Sequence, residues 1–151
     1  TPTLVQLQEA ECYAVASRSL EKAERFAAKY GFTKAYGSYE ELLDDPEVEL
    51  VYIATPHSHH YADTMMALER GKPVLCEKAF TMNAREAKKI RDYAKEKGFF
   101  VAEAIWPRYM PSRQMIQSVI DSGIIGKVNT LTANLSYAIS HNRRLVDPAQ
   151  A

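Results

Sequence analysis

Strand-like and helix-like segments alternate along most of this chain. The segment 50–54 is continuously apolar and β-favouring, which is typical of a central parallel strand that is buried on both faces. Further strand-like segments at 11–16, 73–76 and 99–104 are each followed by a helical pattern of apolar residues. The alternation predicts an α/β fold, with a doubly wound parallel sheet covered by helices on both faces.

Polar capping residues mark where the helices begin. Ser19 and Asn83 are predicted N-caps, and a glycine follows each of the two helices that they start. Ser38, with Glu41 three residues later, forms a capping-box pattern for a short helix over 39–43. These signals predict a helix after each of the first strand-like segments.

The pattern changes beyond the helix predicted around residues 115–120. From Lys127 to Tyr137, apolar residues alternate with Thr, Asn and Ser, which is the period of an antiparallel strand with one solvated face. The sequence therefore predicts one domain over 1–106 and the start of a second, α+β domain with an antiparallel sheet over 107–151.

Charge and cysteine content narrow the classes of partner and compartment. The 151 residues include 19 basic and 19 acidic side chains, so no net field favours nucleic acid or an anionic membrane, and a small-molecule partner is expected. Cys12 and Cys76 lie in apolar segments, which predicts core residues without a disulfide. The chain lacks the ~20 apolar residues of a membrane span and a signal-peptide pattern at its start, so we expect a cytoplasmic protein.

A basic segment, Ser17-Arg18-Ser19, follows the first strand-like segment. In dinucleotide-binding folds a carboxylate near this point binds the ribose 2′-hydroxyl, whereas an Arg accommodates a 2′-phosphate. Arg18 therefore favours NADP over NAD, and Lys22 adds a second positive charge one turn into the helix. The alternative is a surface arginine beside a helix cap.

A histidine-rich loop, 55–60, follows the most apolar strand-like segment. Neighbouring loop residues such as His57, His59 and His60 do not easily converge on one ion, and no Cys or carboxylate stands at a familiar ligand spacing. No metal site is therefore predicted. A contact to cofactor or substrate, or a helix cap by Ser58, fits the pattern better.

Glu77 and Lys78 follow the strand-like segment 73–76 at once. Ligands of doubly wound sheets bind beyond the carboxyl ends of the strands, so both residues are expected at the rim of a binding crevice. Spacing alone leaves three roles for Lys78: an exposed lysine, an ion-pair partner of Glu77, or a proton-transfer group.

Glu103, Trp106 and Arg108 lie at and beyond the end of the strand-like segment 99–104. A single tryptophan is most often a core residue. Beside an arginine at a strand end, Trp106 could equally form a wall for a flat ring.

Several motifs occur in the order of one known family: Tyr36–Leu42, then Val51–Pro56 with His60, then Gly71–Lys78. They cover most of the chain and resemble the Gfo/Idh/MocA family, named for glucose-fructose oxidoreductase and inositol dehydrogenase. Within it, Glu103–Trp106 with Arg108 and Tyr109 looks most like the branch of dihydrodiol dehydrogenase and NADP-dependent D-xylose dehydrogenase.

The resemblance implies a Rossmann domain over 1–106 and, over 107–151, the start of a substrate and oligomerisation domain. It implies hydride transfer between NADP, with NAD less favoured, and a sugar, polyol or cyclic dihydrodiol. It also implies a homo-oligomer formed through the C-terminal sheet. The alternative is a truncated, non-catalytic nucleotide-binding or assembly module of the same family.

The resemblance also implies roles for individual residues. Lys78 matches the family lysine that helps to move the hydroxyl proton and orients the substrate, and it is the expected catalytic residue. The residues expected to bind the cofactor are Ser17, Arg18, Lys22, Thr55, Pro56, His57, His60, Glu77, Lys78, Trp106 and Arg108.

The chain departs from the family pattern in three places. Ala79 replaces the proline that follows the family lysine, which we expect to remove any easily formed cis peptide. The first strand with its Gly-rich phosphate loop is expected before Thr1, and most of the substrate domain is expected after Ala151. The chain is therefore expected to be part of a longer enzyme.

Overall fold

The computed structural model describes residues 4–136, in which short parallel strands alternate with helices. This alternation confirms the predicted α/β fold. The elements are β1 Ala14–Ala16, α1 Leu20–Tyr30, β2 Lys34–Tyr36, α2 Tyr39–Asp44, β3 Val51–Ile53, α3 His60–Glu69, β4 Val74–Cys76, α4 Ala84–Lys97, β5 Val101–Glu103 and α5 Pro111–Asp121. Short 3-10 helices occur at Leu4–Gln6, His57–His59 and Trp106–Tyr109.

The described strands form two parallel sheets rather than one. In the first sheet β1 pairs with β2, and in the second β4 lies between β3 and β5. In a doubly wound sheet the strands, numbered along the chain, lie side by side in the order 3-2-1-4-5-6. By this pattern β2 and β1 take the positions of strands 3 and 2. The strands β3, β4 and β5 take positions 4, 5 and 6. No strand within residues 4–136 occupies position 1, between β1 and β3. The sheet predicted without its first strand is thus present as two separate parts.

The paired strands are shorter than the apolar segments that predict them. Residues Leu50 and Phe100 lie just outside β3 and β5, and they are 52% and 58% exposed. Phe100 still accepts a hydrogen bond from the amide of Val74 at 3.0 Å, but neither residue belongs to a paired strand. Hydrophobicity alone therefore overestimates strand length.

The main core lies between the β3–β4–β5 sheet and the helices α3 and α4. Leu68 of α3, Val74 of β4 and Ile90 of α4 are completely buried within it. Full burial of a side chain of this size stabilises a fold by about 1.5–3 kcal/mol. This core covers one face of the second sheet and fixes the strand ends that follow.

Capping residues determine the helix boundaries as predicted. Ser19, Ser38 and Asn83 each accept a hydrogen bond from the backbone amide three residues later, which is worth about 1 kcal/mol per cap. The capping box differs in one detail, because the Glu41 carboxylate accepts from the amide of Gly37 instead of that of Ser38.

A buried carboxylate connects the two sheets near the amino-terminal ends of their strands. The side chain of Asp45 accepts hydrogen bonds from Tyr13 Oη at 3.1 Å, Lys34 Nζ at 2.9 Å and Tyr36 Oη at 2.6 Å. Its carbonyl oxygen accepts from Lys72 Nζ at 2.7 Å, just before β4. The hydrogen bonds from Tyr36 and then Lys34 hold the pKa of the Asp45 carboxyl well below its usual range.

The chain beyond β5 differs from its prediction. Residues 105–136 are exposed throughout, and the predicted strand over 127–137 is not formed over residues 127–136, while Tyr137 lies outside the described residues. A strand needs a paired neighbour to satisfy its backbone groups, and within residues 4–136 this segment pairs with none of the strands. None of the helices in that described range is both long and apolar enough to span a bilayer.

Replacement of Asp45 by Asn should lower the melting temperature at pH 7 by about 5 °C or more, because it removes the charge that holds this network together. A carboxyl group with a lowered folded pKa stabilises the fold above its unfolded pKa of about 3.9, and this contribution is lost as the pH falls further. The difference in melting temperature between the parent protein and Asp45→Asn should therefore shrink between pH 5 and pH 2, as measured by circular dichroism.

The neighbouring substitution Asp44→Asn is the matched control. Asp44 forms an exposed ion pair with Arg70 and should contribute little to stability. Equal losses for the two variants, or a difference for Asp45→Asn that does not change with pH, would contradict this role of Asp45.

Candidate active site

The segments predicted to bind cofactor and substrate follow three parallel strands at the same end. Ser17 and Arg18 follow β1, Thr55 follows β3 closely, and Glu77 follows β4 directly. Since all the strands run parallel, these segments lie at the carboxyl edges of the two sheets, where doubly wound folds bind their ligands.

Glu77 is fixed to β3 through both its backbone and its side chain. Its amide donates to the carbonyl of Ile53 at 2.9 Å, which extends the β3–β4 ladder by one bond. Its carboxylate accepts one hydrogen bond from the phenol of Tyr52 and another, at 3.0 Å, from the amide of Lys78. The Lys78 side chain is exposed and forms no ion pair within residues 4–136, so of the three roles left open for it the ion pair with Glu77 is not the one observed.

Tyr52 is a residue that the sequence analysis did not single out. Burial, followed by its hydrogen bond to the Glu77 carboxylate, raises the pKa of Tyr52 to about 12. Its phenol therefore stays protonated at neutral pH and remains a hydrogen-bond donor to Glu77.

The turn that follows Lys78 is held by side chains from two other elements. The carbonyl oxygen of Ala79 lies 2.7 Å from His60 Nδ1, and the amide of Phe80 donates to Glu103 Oε1 at 3.0 Å. The peptide between Lys78 and Ala79 is cis, contrary to the expectation for alanine at this position. That expectation considered only the intrinsic trans preference of a non-proline peptide and not the hydrogen bonds around this turn.

His60 joins the loop after β3 to the turn after β4. It is completely buried at the start of α3, and its Nε2 lies 2.9 Å from the carbonyl oxygen of Thr55. Both ring nitrogens thus face carbonyl oxygens. A neutral imidazole can donate a hydrogen bond to only one of these oxygens, whereas an imidazolium can donate to both. His60 therefore supports the two loops and presents no surface of its own to a ligand.

The histidine loop begins with a second side-chain contact. Thr55 Oγ1 donates to Asp63 Oδ2 at 2.7 Å, and Asp63 lies in the first turn of α3. The sequence analysis missed Asp63, although an acidic residue in a first helical turn is a recognisable signal.

The rest of that loop is a 3-10 helix that starts after Pro56. His57 is half-buried, and its ring packs edge-on against His60 with 5.5 Å between the ring centroids. The helix α3 begins at His60 without any side-chain cap, so the predicted cap by Ser58 is wrong. No group of three possible metal ligands occurs among His, Cys, Asp and Glu within residues 4–136.

The basic segment after β1 is open to solvent. Ser17 is half-buried, whereas Arg18 and Lys22 are exposed. Burial and then the charge of Asp63 raise the pKa of Tyr39, while the positive charge of Arg18 opposes this rise. Tyr39 is the first residue of α2, after β2, and Asp63 lies in the first turn of α3, after the loop that follows β3. Because both charges act on Tyr39, the basic segment lies within electrostatic range of the loops that follow β2 and β3.

Trp106 and Arg108 stand apart from the other predicted site residues. Both are exposed, Trp106 by 62%, in the 3-10 helix that follows β5. The core alternative for Trp106 is therefore wrong. Within residues 4–136, neither side chain forms a hydrogen bond or ring contact with the site.

Cys76 lies directly before Glu77, but its side chain is not exposed at the carboxyl edge of the sheet. It is completely buried, which raises the pKa of its thiol to about 11, and it is free of any disulfide. This confirms its predicted place in the core, whereas Cys12 is only half-buried. A buried, protonated thiol is a poor nucleophile, so Cys76 is not a candidate reactive group at this edge.

Comparison with characterised proteins extends this description. Residues 2–104 match the Gfo/Idh/MocA family, described as an oxidoreductase family with an NAD-binding Rossmann fold. The chain is 51% identical over 130 residues to D-xylose 1-dehydrogenase (NADP(+)) of Hypocrea jecorina, covering 83% of this chain and 33% of that protein. It is 43% identical over 143 residues to human trans-1,2-dihydrobenzene-1,2-diol dehydrogenase, covering 95% of this chain and 43% of that protein.

Solved structures show the same relationship. KijD10, a 3-ketoreductase from Actinomadura kijaniata crystallised with TDP-benzene and NADP in an open conformation, superposes with a TM-score of 0.75 at 30% identity. That alignment covers 83% of this chain and 40% of the KijD10 chain. The chain spans less than half the length of the curated relatives that it matches. With a matching family domain over residues 2–104 and the parallel strand arrangement described above, this chain belongs to the Gfo/Idh/MocA family of oxidoreductases.

Proposed function

We propose that the intact protein is an NADP-dependent oxidoreductase that transfers a hydride between the nicotinamide and a carbinol carbon of a sugar, polyol or cyclic dihydrodiol. The observation that supports it most is Lys78, whose side chain is exposed and unpaired within residues 4–136. The turn around Lys78 is held by contacts to Tyr52, His60 and Glu103. A free cation on a fixed turn at this edge suits the binding of a substrate oxygen.

The residues after β1 fit a phosphate-bearing dinucleotide. Neither Arg18 nor Lys22 forms a salt bridge within the described part of the chain, so both cations are available to an anion. The pKa of Tyr39 responds to the charge of Arg18, which supports a place for the guanidinium at the end of β1 near α2. Guanidinium binds phosphate through a fixed fork of charged donors, so Arg18 would hold the 2′-phosphate of NADP.

In the proposed reaction, Lys78 handles the proton. When bound, the nicotinamide ring accepts or supplies the hydride. In the oxidative direction the neutral amine of Lys78 accepts the proton of the substrate hydroxyl while the carbon loses its hydride, and a carbonyl group forms. In the reductive direction the ammonium of Lys78 returns that proton to the oxygen.

The substrate class rests on the relatives. The two curated relatives described above are named as dehydrogenases of D-xylose at position 1 and of a dihydrobenzene 1,2-diol. The reacting carbon is the anomeric carbon in the sugar and a secondary carbinol in the diol, and in both substrates the neighbouring carbon carries a second hydroxyl. Lys78 would hydrogen-bond the reacting oxygen in either case. We therefore propose vicinal oxygen-bearing substrates for this protein.

Substitution of Lys78 by Met should lower kcat/KM with NADP and an aldose, polyol or dihydrodiol by about 10²- to 10⁴-fold, because it removes the proton-transfer group while keeping the side-chain length. Binding of NADPH, measured by its fluorescence, should fall far less than kcat/KM, because Lys78 is one of several residues expected to bind the cofactor. Lys95→Met, at the far end of α4, is the control and should retain full turnover.

Unchanged turnover in Lys78→Met would refute the proton-transfer role. An intact protein that binds NADPH but turns over none of the three substrate classes would support the non-catalytic alternative.

Substitution of Arg18 by Asp should weaken NADPH binding by about 10- to 100-fold, the usual effect of losing a charged hydrogen bond to phosphate. The affinity for NADH should change much less, since NADH has no 2′-phosphate. Fluorescence titrations with NADPH and with NADH measure the two dissociation constants, and their ratio gives the preference for NADPH. Arg25→Asp, on the exposed side of α1 where Arg25 pairs with Glu21, is the control, and an equal loss for NADH and NADPH would show that Arg18 does not meet the 2′-phosphate.

A further inference from the structure

We propose that Tyr52 is a positioning residue for Lys78 and that it acts through the carboxylate of Glu77. The effect on turnover rests on the proposed function of Lys78. The contact itself rests on the packing and register of β3 and β4.

The strand register brings Tyr52 and Glu77 onto the same face of the sheet. Tyr52 pairs with Leu75, and successive strand residues alternate between the two faces. Glu77 lies two residues beyond Leu75, and its amide still bonds to β3 at Ile53. Its side chain is therefore the diagonal neighbour of Tyr52, within reach of a long aromatic side chain.

The Glu77 carboxylate divides its two oxygens between Tyr52 and Lys78. Oε1 accepts from the Tyr52 phenol, and Oε2 accepts from the Lys78 amide at 3.0 Å. A glutamate without the first contact would sample several rotamers, and holding one of them costs entropy. The phenol of Tyr52 removes this freedom and directs the second oxygen to the lysine backbone.

This bond is the one hydrogen bond that Lys78 itself forms within residues 4–136. The residues after it are held separately, by His60 at Ala79 and by Glu103 at Phe80. Loss of the Tyr52 hydroxyl would therefore leave the Glu77 amide and the downstream turn anchored, and would free only the Glu77 carboxylate that accepts from the amide of Lys78. Since small misplacements of a catalytic group are costly, the effect should appear in kcat.

The contact can be tested without turnover. With ¹³Cζ-labelled tyrosine, the resonance of Tyr52 is identified by its loss in Tyr52→Phe and is then titrated with alkali. In the unmodified protein its pKa should be about 12, and in Glu77→Gln it should fall only part of the way, because burial, the largest cause, remains while the carboxylate charge is removed. An identical titration in both proteins would overturn the contact on which the proposal depends.

The positioning role is tested by a double-mutant cycle in the intact enzyme. Tyr52→Phe should lower kcat about 10-fold and leave the KM for NADP and the melting temperature nearly unchanged. In a Glu77→Ala background, Tyr52→Phe should have no further effect, because Tyr52 acts through Glu77. Tyr93→Phe, a half-buried tyrosine of α4 without a side-chain hydrogen bond in the described residues, is the control and should keep full kcat.

The outcomes separate this inference from the proposed function. If Lys78→Met loses turnover but the losses from Tyr52→Phe and Glu77→Ala simply multiply, the positioning role alone is wrong. If Lys78→Met keeps its turnover, the proposed function is wrong and the catalytic role of Tyr52 with it. If Tyr52→Phe does not fold, the tyrosine titration in Glu77→Gln still decides whether the contact exists.

Discussion

The parallel pairing of β3 with β4 sets the geometry on which the candidate site depends. Val51 lies opposite Val74 and Ile53 opposite Cys76, so the loops after both strands leave the sheet at the same level. From there His60 connects the two loops, and Tyr52 reaches Glu77 across the ladder. A shift of one residue would turn Tyr52 and Glu77 to opposite faces and would also expose the apolar side chains that face α3 and α4.

The two edges of the sheets carry different kinds of polar group. At the amino-terminal edge, the carboxylate of Asp45 is almost fully used by hydrogen bonds from Tyr13, Lys34 and Tyr36. At the carboxyl edge, the cations of Arg18 and Lys78 are exposed and unpaired within residues 4–136. Satisfied polar groups hold the parts of a fold together, whereas free ones are available to a ligand, so the amino edge has a structural role and the carboxyl edge is where we propose that ligands bind.

Local signals in the sequence predicted most of the helix boundaries, although the cap considered at Ser58 is absent. The contacts that the sequence did not reveal join residues that lie far apart in the chain. Caps such as Ser38 and Asn83 act within one helical turn, so they can be read directly from the chain. Tyr52 and Glu77 are 25 residues apart, and their contact follows only once the register of β3 and β4 is known. The strand expected over 127–137 was predicted from an alternating pattern that is local in the sequence. A strand also needs a pairing partner from elsewhere in the chain, and the local pattern does not contain that information.

Within residues 4–136, β4 is hydrogen-bonded on both sides, and it also packs on α3 and α4. Local opening is hardest where many bonds and many buried contacts must be broken. Lys78 extends from the end of this strand, so its backbone starts from one of the firmest parts of the carboxyl edge. The lysine is therefore already in place before any ligand arrives.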